Sequence, residues 1–246
     1  MTLRLNADVG EIPARVSGDD EAALIALLDE ANIACGGHAG DVETMRVTVA
    51  RCVARGVAIG AHPSYPDRAG FGRRRLELDD DALRHTLLDQ VRALIDVVSA
   101  AGARVMFLKP HGALYHAVDD DPAVAAIVAD VVDALTPIVG MRLPVVLLHA
   151  RGGDTPSRRL LHDRGVIVRG EVFGDRGTDA HGLLLPRGMP GAELDEAGAI
   201  ATVTRLIDDG TDAATLCLHG DGPHALAIAR AMRALLHRRN RSLAAG

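Results

Sequence analysis

The sequence predicts an α/β protein, a (β/α) barrel occupying residues 1–246 as one domain. Short apolar runs alternate with helical periodicities from end to end, without linker or low-complexity tract, as parallel strands covered by helices require. Almost every run is followed by polar, glycine-rich punctuation: Asp8/Glu11, His38, His62, Lys109/His111, His149, Glu171 and His219/Asp221. The strand C-termini of a barrel share one face, where active sites are built. An open doubly wound sheet binds ligands only near its switch point. The third observation is composition: 48% hydrophobic, 2% aromatic and no Trp, which leaves Val, Leu, Ile and Ala to build buried strands and their covering helices.

The elements follow in order. Leu3–Ala7 reads as a first strand. Asp19 and Asp20 can cap a helix over Glu21–Glu30, with Leu24, Leu27 and Leu28 on one face. Ala31–Ala34 is a second strand. Asp41 caps a helix to Arg55, ended by Gly56. Val57–Gly60 is a third strand, and a Gly-, Pro- and Arg-rich loop follows it over Tyr65–Arg75. Leu83, Leu87, Val91, Leu94, Ile95 and Val98 mark a long helix over Asp79–Ala101. A strand at 104–109 precedes a helix opened by Pro122 and running to Leu135. Pro144–His149 is a strand, Thr155–Asp163 a helix, Val166–Val168 a short strand leading to Glu171, and Leu183–Arg187 an extended piece. Asp195 opens a helix to Asp208, Thr215–Leu218 is the last strand, and His224–Arg239 the closing helix.

A net charge of −6 and a pI near 6.0 argue against a nucleic-acid partner. Three cysteines without a CxxC pair fit a reducing compartment rather than a disulfide framework. No signal peptide is evident and no apolar run reaches bilayer-crossing length, so the expectation is a cytoplasmic chain with no membrane partner.

The chemistry concentrates at strand ends. Lys109 is the sole lysine among 27 basic residues, in Lys109-Pro110-His111-Gly112-Ala113-Leu114-Tyr115. A position kept as lysine in an arginine-rich chain calls for a compact ammonium whose pKa responds to burial. Asn6, Asp8 and Glu11 place an amide and two carboxylates around one turn, suited to a metal, a substrate ammonium or a general base. His38 follows two glycines that leave room for a ligand beside the main chain, with Asp41 as helix cap. His62 ends the third strand. Arg73, Arg74 and Arg75 can clamp a carboxylate or phosphate bidentately. Glu171, Asp175, Arg176 and Arg187 mix signs, as proton-transfer sites or structural ion pairs both do. His219 and Asp221 read as a base with its orienting carboxylate. The catalytic candidates are therefore Asp8, His38, His62, Lys109, His111, His219 and Asp221. The substrate-binding candidates are Asn6, Glu11, Arg73, Glu171, Asp175, Arg176 and Arg187. Asp8, His38, His62 and His111 are also competent ligands for zinc or a similar ion, although no HxxH spacing supports one. The absence of GxGxxG and GxxxxGK[ST] motifs argues that this chain alone is not the main ATP-binding unit.

Taken together, several stretches resemble the LamB/YcsF family in its own order. They are Leu5–Glu11, Ala31–Asp41, Gly60–Pro63, Pro66-Asp67, Gly70–Arg74, Lys109–Tyr115, Asp175-Arg176 and Cys217–Asp221. Gly37, Ser64, Gly174 and Thr178 depart from the family's usual residues around the pocket rim, while the charged residues remain. The resemblance implies a seven-stranded barrel related to the glycoside hydrolase/deacetylase fold. It also implies a hydrolase acting on a cyclic amide: 5-oxo-L-proline, ATP and water give L-glutamate, ADP and phosphate. This chain would be the A subunit of that 5-oxoprolinase, beside partner subunits B and C, with ATP as co-substrate of the assembled enzyme and a divalent metal admissible. A stand-alone metal-dependent amidohydrolase or deacetylase, and a non-catalytic subunit that positions a ligand, are the other two readings.

Overall fold

Seven parallel strands close into a barrel in chain order, β1(Arg4–Val9), β2(Glu30–Ala34), β3(Ala58–His62), β4(Val105–Leu108), β5(Val145–Leu148), β6(Val168–Phe173) and β7(Thr215–His219), with β7 returning to pair with β1. The computed structural model describes residues 3–151, 155–220, 222 and 224–244. The covering helices are α1(Pro13–Val16), α2(Asp19–Ile25), α3(Val42–Arg55), α4(Asp80–Ala100), α5(Gly112–Asp120), α6(Pro122–Val139), α7(Pro156–Asp163), α8(Glu196–Asp208) and α9(Ala225–Ala244).

The caps hold where side chains dictated them. Asp41 accepts from the Thr44 backbone N–H in a reciprocal capping box, and Asp79, Thr155 and Asp195 cap α4, α7 and α8 by accepting from backbone N–H groups of the first turn. Other boundaries moved. Gly18, not an aspartate, stands at the N-cap of α2, and the helix stops at Ile25. Glu30 is a strand residue, because its carboxylate is needed inside the barrel by Arg4 (3.1 Å) and Arg169 (2.8 Å). β6 begins at Val168 and runs on through Glu171 to Phe173, so Glu171 is not a loop residue. α5 starts directly after His111 and was hidden by its glycine and its polar end. Leu183–Arg187 contributes only a single bridge, Thr178 to Leu184. Contrary to the sequence expectation, α6 is long and apolar enough to cross a membrane, with mean hydropathy 1.8. Here it is a core helix packed between α4 and α7, burying Val124, Ile127, Val128, Val131 and Leu135.

The alternation of each strand separates two environments. Leu5, Ala7 and Val9 on β1, Ala31 and Ile33 on β2, and Leu216 and Leu218 on β7 belong to the hydrophobic core. The intervening positions carry Asn6, Asp8, Glu30, Asn32 and Cys217, all buried. The barrel interior is therefore polar rather than the usual stack of branched aliphatics. At its lower end Phe107 lies so close to Gly60 that a Cβ there would meet the ring at 2.1 Å. The Arg169 guanidinium covers the same ring at 5.4 Å. β4 and β5 share a single register pair, Leu108 with Val145, the narrowest seam in the sheet.

Candidate functional site

The register sets the site. Asp8 pairs with Asn32 on one side and His219 on the other, and Ala34 pairs with His62, so side chains from distant segments reach one level at the strand C-termini. Lys109 is 2% exposed, and its ammonium reaches three acceptors: Asp8 Oδ1 (2.9 Å), Cys217 Sγ (2.9 Å) and Glu171 Oε2 (3.2 Å). Burial alone would lower its pKa, but Asp8, Cys217 and Glu171 outweigh that and raise it well above the usual lysine value. Lys109 is thus a fixed cation, not the readily neutralised amine its burial suggested. Burial works to raise the Asp8 carboxyl, yet His62 and Lys109 hold it well below the ordinary carboxylate range. Burial pushes Glu171 up, against the pull of Lys109. It also keeps the Cys217 thiol and the Tyr115 phenol protonated, and Tyr115 donates to Glu171 at 3.3 Å.

Beneath this centre Asn6 donates to Glu171 (3.0 Å) and Thr215 (2.6 Å) and accepts from Asn32 (2.6 Å), which also donates to Asp8 (2.8 Å). The amide of Asn6 is therefore occupied by its neighbours below the cavity. Beside Asp8, four side chains converge: Glu11, His38, His62 and His111, with ligating atoms all within 4.8 Å of one another. His38 Nε2 lies 2.9 Å from Glu11 Oε1, His111 Nδ1 lies 3.0 Å from His62 Nε2, and His62 Nε2 lies 3.3 Å from Asp8 Oδ2. The His38 and His111 rings stack at 3.6 Å. Burial, with the neighbouring rings, pushes the pKa of both well down. The loop Phe71-Gly72 presses on them. Gly72 sits at φ 64, where a Cβ would meet His38 at 2.8 Å, and the Phe71 carbonyl accepts from His111. These four side chains can hold a metal ion.

The opposite wall is built differently. The backbone N–H of His219 donates to Asp175 Oδ2 (2.8 Å), and its ring Nδ1 lies 3.1 Å from the same oxygen. Burial would raise Asp175, but His219 holds it below the usual value. The structure thus gives His219 an orienting carboxylate from the segment after β6; Asp221, expected in that role, lies outside the described residues. Phe173 stacks on His219 and lies 5.3 Å under the Lys109 ammonium, linking the two walls. A cavity of about 440 Å³ opens between them, lined by Asp8, His62, Lys109, His111, Tyr115, Phe173 and His219, with Arg73, Arg176 and Arg187 at its rim. Arg176 is fixed by the carbonyls of Ala192 (2.8 Å) and Leu185 (2.6 Å). Burial and the charges of Arg187 and Arg73 lower its pKa, the signature of cations crowded for an anion. Arg187 also meets Glu193 at 2.7 Å, and Arg73 lies over Phe71 at 4.8 Å.

The neighbouring arginines are otherwise engaged. Arg74 pairs with Asp67 and Arg75 with Asp121. His149 pairs with Asp212, away from the cavity. Sequence reasoning passed over Asn32, Cys217, Tyr115 and Phe173. Cys217 carries a period-two signal, two residues before His219, whereas Asn32 is placed only by the register that sets it opposite Asp8.

Comparison with known proteins gives consistent results. The LamB/YcsF family matches residues 3–245. The 5-oxoprolinase A subunit of Methylococcus capsulatus is 42% identical over 258 residues, which span 99% of this chain and 95% of that protein. The crystal structure of the lactam utilization protein from Thermus thermophilus superposes with a TM-score of 0.84 at 34% identity over 98% of both chains. A family 4 carbohydrate esterase from Streptomyces lividans shares the fold, with a TM-score of 0.52 at 13% identity over 96% of this chain and 88% of that one.

Proposed function

The chain belongs to the LamB/YcsF family, and from that membership we propose that residues 1–246 work as a single (β/α) barrel domain, the cytoplasmic A subunit of an ATP-dependent 5-oxoprolinase. Partner subunits B and C complete the enzyme, and ATP is its co-substrate. The observation that carries this reading is a cavity that joins a fixed ammonium, Lys109, to an Asp-oriented imidazole, His219, beneath a rim of three guanidinium groups.

The chemistry of the reaction asks for those groups. A five-membered lactam is a stable amide, and its opening is coupled to ATP by phosphorylating the lactam oxygen, with ADP released. One water then adds to the carbonyl carbon. The C–N bond breaks as the nitrogen takes a proton, leaving an acyl phosphate. A second water releases phosphate and yields the glutamate carboxylate. His219 is the general base for the first water: Nδ1–H bonds to Asp175 and leaves Nε2 as the proton acceptor. Asp8, held ionised, is too weak a base for that step. Its role is to fix Lys109 and His62. Lys109 balances the negative charge that develops on the substrate oxygens, and the imidazole of His111 borders the same space. Arg73, Arg176 and Arg187 hold the substrate carboxylate and the phosphoryl group at the rim. Asn6, Glu11 and Glu171 position these groups from beneath and beside.

The test is glutamate release from 5-oxo-L-proline plus ATP, first with this chain alone and then with its two partner subunits. The expected result is release in the mixture only. No release with partners shown to bind would overturn the 5-oxoproline assignment.

A further inference from the structure

The four-residue cluster beside Asp8 contains a conflict of lone pairs. His62 Nδ1 lies 2.7 Å from the Lys109 carbonyl oxygen, so the proton of a neutral ring is on Nδ1 and the lone pair on Nε2. His111 Nε2 lies 2.9 Å from the Phe71 carbonyl oxygen, so its lone pair is on Nδ1. Those two lone-pair nitrogens face each other at 3.0 Å. Two further acceptors lie close: Glu11 Oε1 is 3.5 Å from His111 Nδ1, and Asp8 Oδ2 is 3.3 Å from His62 Nε2. Acceptors brought this close in a buried site repel unless positive charge lies between them.

We propose that Glu11, His38, His62 and His111 form a binding site for one first-row divalent cation of the zinc type. Three imidazoles and one carboxylate are a borderline N/O donor set, which suits Zn²⁺, Co²⁺ or a neighbour rather than Mg²⁺ or Ca²⁺. Bonds of about 2.0–2.1 Å in tetrahedral geometry place donors roughly 3.3 Å apart. Three of the six donor separations, 2.9, 3.0 and 3.5 Å, lie near that edge, and all lie within 4.8 Å. The outer contacts are those a ligating histidine uses: His62 and His111 each give their other N–H to a backbone carbonyl, which fixes tautomer and ring orientation. The carbonyl on His111 belongs to Phe71, which adopts φ 54, a conformation that L side chains seldom take. An entry path exists on each side. The main cavity is lined by His62 and His111, and a second cavity of about 330 Å³ is lined by Glu11.

This inference is independent of the reaction proposed above, and so is its test. The tag-free full chain is stripped with a chelator, dialysed, and titrated with Zn²⁺ in a calorimeter. Parallel samples take up Co²⁺, followed by visible absorption and metal analysis. The expected result is one equivalent per chain, a Co²⁺ ligand-field band, and a higher melting temperature with metal. Glu11→Gln and His111→Asn, checked for folding by circular dichroism, should each weaken binding by more than the roughly 10- to 100-fold that loss of an outer-shell partner costs. Absence of stoichiometric uptake by the folded wild type would overturn the site and assign a shared proton between His62 and His111 instead. Uptake undiminished in a folded Glu11→Gln/His111→Asn double variant would equally overturn it, by placing the metal elsewhere.

Discussion

The two walls of the cavity are built on opposite terms. The wall from β1 to β4 is dry and closely determined. Lys109 has three partners, Asn6 links Thr215, Asn32 and Glu171, and the tautomers of His62 and His111 are set by backbone carbonyls. The wall from β6 to β7, with its rim, is more loosely tied, and the His219 and Asp175 side chains keep 16% and 13% exposure. His219 hangs on one carboxylate, and Arg176 and Arg187 sit on a loop braced by isolated bridges, with Arg73 arriving from the loop after β3. The difference teaches a division of labour. A buried polar network holds charge in place because any vacancy in it is costly. At the rim a charged ligand meets one preset cation, Arg176, and two that solvent reaches, Arg73 and Arg187.

The largest effect should come from the dry wall. Lys109→Met leaves Asp8 and Glu171 as buried carboxylates without their cation, a loss of about 3–5 kcal/mol of stability. It should also abolish turnover of the assembled enzyme. Denaturant melts and glutamate release check both, and full activity in Lys109→Met would remove the fixed cation from the reaction. Next, His219→Asn should lower kcat by about 10²- to 10⁴-fold with a melting curve close to wild type. A comparable loss of stability would break the contrast between the walls.

At the rim, Arg176→Ala or Arg187→Ala should raise KM by about 10- to 100-fold, one charge-assisted contact each, with kcat nearly retained. A fall in kcat at unchanged KM would show that the rim acts on the reacting atoms. The pH dependence of Asp175 sharpens the contrast further. Its folded pKa lies below the ordinary 3.8, so its contribution to stability is present above that value and fades as pH falls through the folded pKa. Asp175→Asn should therefore be less stable than wild type at neutral pH, and the two should converge in acid; a gap that widened in acid would contradict the assigned pairing. The smallest effect is expected at Arg74→Ala. Its guanidinium is already taken by Asp67, and KM should change by less than about a few-fold.

Much of the first wall was legible. A lone lysine after an apolar run, histidines behind glycines at strand ends, and Asn6/Asp8 at period two are local patterns, and each marks the C-terminal end of a strand. What stayed hidden were partnerships between segments far apart in sequence. Glu171 could be named as functional, but only its place inside β6 sets it against Lys109, a residue from β4's far end. Asp175, 44 residues from His219 in sequence, supplies it with a carboxylate that no local pattern announces. Glu11 reads as a substrate contact from its own turn, and it joins three histidines once the chain has closed. Arg73, Arg74 and Arg75 look alike in sequence; the fold takes Arg74 to Asp67, Arg75 to Asp121 and Arg73 over Phe71 at the cavity.

The sequence by itself determined the alternation of strand and helix, the cap at Asp41, the helix starts near Asp79, Thr155 and Asp195, and the face on which polar residues gather. These depend on periodicity and on hydrogen bonds within a few residues. Tertiary structure alone decided which charges meet, which nitrogen of His62 and of His111 keeps its lone pair, and which arginines remain at the rim. Those outcomes depend on barrel closure and strand register, where a shift of one residue would turn every interior side chain outward.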